Sequence, residues 1–83
     1  MLSHQERADF KNWLEKNSNL QWKSISDTCS RLSRVARITA IRTDIPTDDF
    51  LFSLSKEREF SKLGKTIQSQ LKKAYKLYRE FHK

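Results

Sequence analysis

The apolar residues of this chain recur three and four positions apart, the period of helices that bury one side. Near the start, Phe10, Trp13 and Leu14 follow this spacing. Ser3 with Glu6 three residues later has the form of a capping box, so a first helix is predicted over about residues 4–16. Asn17-Ser18-Asn19 reads as a stop and turn. A second helix is predicted from near Trp22 to about Thr39. Its apolar side holds Ile25, Cys29 or Thr28, Leu32, Val35 and Ala36, with Ile38 at the margin.

Ile45-Pro46 breaks the pattern, because the residue before a proline is pushed out of the helical region. Thr47 is then predicted to cap a short third helix that turns Phe50, Leu51 and Leu54 inward. Asp48 and Asp49 fall in its first turn, where the helix dipole favours acids, and this stabilising role is preferred over a metal site. Lys56 to Phe60 is polar and reads as either a loop or a continuation. A fourth helix is predicted from near Leu63 and Gly64 to about His82. Ile67, Leu71, Ala74, Tyr78 and Phe81 form its apolar side, and Tyr75 and Leu77 lie at the edges of that stripe, where core packing is preferred over stacking on a base or packing against a partner. The expected architecture is all-α, a compact bundle of four helices in one domain spanning residues 1–83.

Composition supports this outline. With 83 residues the chain is near the small end of what folds alone. One Gly and one Pro leave little material for a turn-rich β fold. A single cysteine excludes an internal disulfide and a cysteine-based zinc site, so apolar packing has to hold the core. The aromatics, from Phe10 and Trp13 to Trp22, Phe50, Phe52, Phe60, Tyr75, Tyr78 and Phe81, are expected to supply much of it. Trp22, at the mouth of the second helix, reads as a staple residue or as an exposed anchor. No apolar run approaches the ~20 residues of a membrane span. Met1 to Arg7 lack the apolar stretch of a signal peptide, so a cytoplasmic location is expected.

Charge changes the picture most. The net charge is +7, and it is unevenly placed. Residues 60–83 hold seven bases and one acid, residues 23–43 five bases and one acid, and the stretch between carries Asp44, Asp48 and Asp49. On the fourth helix Lys62, Lys65, Ser69, Lys72, Lys76, Arg79 and Lys83 fall three or four apart on one face. On the second, Ser26, Ser30, Ser33 and Arg37 lie opposite the apolar side, flanked by Lys23, Asp27, Arg31 and Arg34. Small hydroxyls between arginines let a phosphate backbone approach, and both groups donate to phosphate oxygens. A cation near a helix C-terminus stabilises its dipole, which accounts for Arg79 and Lys83 but not for Lys62, Lys65 and Lys72.

Catalytic patterns are missing. His4 and His82 stand at opposite ends, and there is no glycine-rich phosphate loop or nucleophile elbow. Cys29 fits a small buried hydrophobe on the second helix. The chain is therefore expected to be a non-catalytic module without a cofactor or metal. Its predicted partner is duplex DNA, bound with weak sequence preference through Lys23, Ser30, Arg31, Arg34, Arg37, Lys62, Lys65, Ser69, Lys72, Lys76 and Arg79 as a clamp of two basic faces. The alternative is an interaction or inhibitor module that docks on an acidic protein surface. A membrane-surface helix is the weaker reading, since the apolar side of the fourth helix is needed by the core.

The order of elements adds a likeness. Phe10-Lys11-Asn12-Trp13-Leu14, Leu20-Gln21-Trp22-Lys23-Ser24-Ile25 and Leu32-Ser33-Arg34-Val35 are followed by Ser69-Gln70-Leu71-Lys72-Lys73-Ala74-Tyr75 and Leu77-Tyr78-Arg79-Glu80-Phe81. From about Leu2 to Phe81 this resembles the SAM-like core-binding domain of tyrosine recombinases and phage integrases, and related modules of mobile-element and defence proteins. Its motifs are loose helical patterns of low specificity. The resemblance implies a helical domain that clamps duplex DNA, with contacts from Ser30, Arg31, Arg34 and Arg37 and from Lys65, Lys72 and Lys76. Gln21 departs from the Ser or Thr cap usual in that family. The family's catalytic domain, with its Arg, His and Tyr, has no counterpart in these residues, so Tyr75 and Tyr78 are not read as strand-cleaving nucleophiles.

Overall fold

The computed structural model describes residues 3–82, and among them the regular structure is entirely helical. Five helices follow one another: α1 (His4–Asn17), α2 (Trp22–Ile38), α3 (Thr47–Ser55), α4 (Arg58–Ser61) and α5 (Lys65–Phe81). The count corrects the expectation of four.

Local chemistry sets the ends of α1. Ser3 Oγ accepts from the Glu6 amide at 3.1 Å, which relieves one orphan donor of the first turn. At the other end the Ser18 hydroxyl donates to the Leu14 carbonyl at 2.5 Å and the Asn17 side chain to the Trp13 carbonyl at 3.0 Å. The Ser18 amide also donates to the Leu14 carbonyl, at 3.1 Å, while the Ser18 backbone is already extended, so the helix closes there on its own last carbonyls. Helix α2 starts behind Gln21, whose side chain makes no capping bond. Helix α3 also lacks a side-chain cap: Pro46 occupies the cap position and Thr47 is the first helical residue, which corrects the role expected for Thr47.

Helices α2 and α5 form the spine. Ile25, Cys29 and Leu32 of α2 pack with Ala74 and Tyr78 of α5 and with Phe10 and Leu14 of α1. Val35, further along α2, packs with Leu71 and Tyr75, earlier in α5, and with Phe50, Leu54 and Phe60. The two helices therefore run in opposite senses with their apolar sides facing each other. Helix α4 exists because Phe60, in a polar stretch, has to reach this second cluster; it is almost wholly buried. Gln68 ties the turn down by donating to the carbonyls of Phe60 and Leu63, at 3.2 and 2.8 Å.

Not every aromatic serves the core. Trp22 is 80% exposed and Phe52 63%. Ile67, expected on the apolar side of the last helix, is 38% exposed. Tyr75, at the edge of the stripe and expected to pack in the core, is fully buried and stacks on Phe50 with centroids 4.0 Å apart.

Candidate nucleic-acid interface

The predicted site residues separate into three groups. The first belongs to α2. Lys23, Ser30, Arg34 and Arg37 are exposed on the side opposite the core, together with Ser26, while Arg31 and Ser33 are half-buried at its edges. Trp22, Ser26, Ser30 and Arg34 are four apart and so form one ridge along the helix. Among the described residues no ion pair involves Lys23, Arg34 or Arg37. Asp27 is the one acid of the helix, exposed at the margin beside Lys23 and Arg31.

Helix α1 extends this surface. The Arg7 guanidinium reaches within 3.5 Å of Ser30 Oγ. Arg7 and Lys11 are close enough to Cys29 for their charges to favour its thiolate, although burial is the larger influence and pushes the thiol up. Neither cation was among the predicted contacts, because Glu6, Asp9 and Glu15 cancel the charge of this segment along the sequence. Glu6 Oε2 accepts from the Tyr78 hydroxyl at 2.8 Å, and Asp9 accepts from Gln5. The spacing of Arg7 and Lys11, each three residues before Phe10 and Leu14 of the buried face, was the available signal.

The second group lies on α5 and is broken up by the fold. Lys65, Ser69 and Lys76 are exposed on one side, next to Lys73. Lys72 is half-buried with its Nζ 5.8 Å from the Phe60 centroid. Arg79 donates to the Ile45 carbonyl at 2.5 Å and to the Tyr75 hydroxyl at 3.3 Å. Tyr75 in turn donates to the Arg42 carbonyl at 2.6 Å. The connection between α2 and α3 has few backbone partners of its own, and these two side chains supply them. Its exposed Arg42–Asp44 ion pair, at 2.8 Å, holds the Asp44 carboxyl below its ordinary range.

The third group is off the helix. Lys62 is exposed just past α4, outside α5, and Lys83 lies outside the described residues. A cleft of about 470 Å³ separates Thr43 and Thr47 from Lys76, Arg79, Glu80 and His82. Its walls carry both signs of charge.

Helices α2 and α5 meet through their apolar sides, so their exposed cations point to different sides of the molecule. The two basic faces expected to act together are not brought together. Of the two tyrosines of α5, Tyr75 is hydrogen-bonded in the core, and burial, aided by the Glu6 carboxylate, pushes the Tyr78 hydroxyl well above its ordinary value. Among the described residues no group of three or more His, Cys, Asp or Glu could hold a metal ion, and no helix is long and apolar enough to cross a membrane. Comparison with family models, curated proteins and solved structures finds no match, and nothing there links the chain to recombinase core-binding domains.

Proposed function

We propose that this protein is a non-catalytic DNA-binding module that holds the phosphate backbone on the outer face of α2. The observation that carries this reading is a row of exposed cations and serines opposite the core, with Arg7 and Lys11 of α1 beside it. The serines leave room for a strand, and the guanidinium and hydroxyl groups donate to phosphate oxygens. The likeness to SAM-like core-binding domains of recombinases points the same way and belongs to the same proposal. The proposed role is to hold, with no reaction.

Lys23, Arg34, Arg37, Arg7 and Lys11 can neutralise about five phosphates, so log K on duplex DNA should fall against log salt with a slope near −4.5. Fluorescence polarisation on a labelled duplex measures it. No binding of either a duplex or a single strand at ~50 mM salt overturns the proposal. The exposed Trp22 and Phe52 favour one second reading, an interaction module docking on an acidic protein surface. Capture from lysate separates the two: a partner retained after nuclease treatment supports protein docking, and one lost supports DNA.

A further inference from the structure

Trp22 is out of place for a core residue. It opens α2 with 80% of its surface exposed, and among the described residues no ring or cation covers it. Phe52, the other exposed aromatic, differs: Lys56 Nζ sits 4.4 Å from its centroid and occupies one ring face. The position of Trp22 relative to the cations is the second observation. It heads the ridge that continues through Ser26 and Ser30 to Arg34, with Lys23 adjacent, along a helix about 25 Å long. A free indole face thus stands at the end of a track of phosphate donors.

We infer that Trp22 is a stacking platform for an unpaired base, and that the α2 face prefers DNA with single-stranded character over a closed duplex. The inference rests on the DNA-binding reading above and deepens it. In a closed duplex the base faces are stacked on each other, and only the backbone meets the protein. In an unpaired strand a base can turn onto the indole while its neighbouring phosphates follow the serines and arginines. Every base offers such a face, so the contact carries little sequence preference. Ser26, one turn along the ridge from Trp22, and Ser30, a turn further, are small and exposed, so no bulky side chain stands between the indole and Arg34 on that ridge.

The test compares a dT oligomer with a blunt duplex at one salt concentration, for the wild type, Trp22→Ala and Trp22→Phe. Trp22 buries little, so both variants are expected to keep the helical circular dichroism and melting temperature of the wild type. The expected result is that Trp22→Ala weakens binding of the oligomer by about 10- to 100-fold. Trp22→Phe should restore most of that loss, and duplex affinity should change less than about twofold for either variant. Indole emission should be quenched by the oligomer in the wild type and not in Trp22→Ala, where the half-buried Trp13 is the remaining emitter. Equal losses on both DNAs, or no loss on either while DNA still binds, overturns the stacking role and leaves the proposed function standing. Failure of the wild type to bind either DNA overturns both. A nuclease-resistant protein partner that Trp22→Ala releases also overturns the inference, since the indole is then an interface anchor.

Discussion

Single side chains decide which basic residues are free and which belong to the fold. Arg79 and Tyr75 are held by the α2–α3 connection, where each donates to a carbonyl. Removing one hydroxyl therefore costs stability. Tyr75→Phe should lower the unfolding free energy by about 1–2 kcal/mol, seen as a reduced urea midpoint with an unchanged slope. Cys29 is buried, and burial pushes its thiol up. It should react slowly with a maleimide in the native protein and rapidly in denaturant. Tyr78 gives a pH dependence of defined sign. Its folded-state pKa is raised, first by burial and then by Glu6. The stabilisation is present in full below the ordinary tyrosine value of about 10 and is lost as pH rises above it. Thermal melts should therefore move down in strong alkali, and Tyr78→Phe should flatten that decline.

At the scale of elements, the informative feature is a helix start that breaks a rule. Helix α5 begins with Lys65 behind an uncapped Gly64, and no acid stands in its first turn. The dipole disfavours a cation there. Lys65→Glu should raise stability by about 0.3–1 kcal/mol in a thermal melt at low salt, a gain that the native residue forgoes. The helices were legible in sequence where local chemistry defines them: Ser3 and Asn17-Ser18 bound α1, and Ile45-Pro46 precedes α3. Helix α4 was not, because Phe60 follows four alternating charges and the one apolar residue at helical spacing, Leu63, does not make a period by itself. The stripe of α5 was legible, but not how far it extends, since Ile67 at its start is exposed. Periodicity locates an apolar side, but its centre depends on the neighbours, and Phe50 draws Tyr75 inward. Lys72 and Arg79 looked like surface because nothing in the sequence says that Phe60 lies beside the one and the α2–α3 connection beside the other.

At the scale of the molecule, the charge segregation along the chain becomes a division between surfaces. The body measures 33 × 27 × 21 Å, and its spine buries the side of α2 opposite Arg34 and Arg37 against the side of α5 opposite Lys65 and Lys76. One DNA strand cannot lie along both faces without passing round the molecule. The α2 face is the stronger candidate: α1 adds cations to it, and serines space its charges. On α5 two of the five helix cations serve the fold and Glu80 stands among the rest. The most direct test is the salt dependence of duplex binding for the wild type, Arg34→Gln/Arg37→Gln and Lys65→Gln/Lys76→Gln. The account predicts a wild-type slope near −4.5, a slope shallower by about 2 for the α2 pair, and no change for the α5 pair. A shallower slope for the α5 pair with the α2 pair unchanged contradicts it.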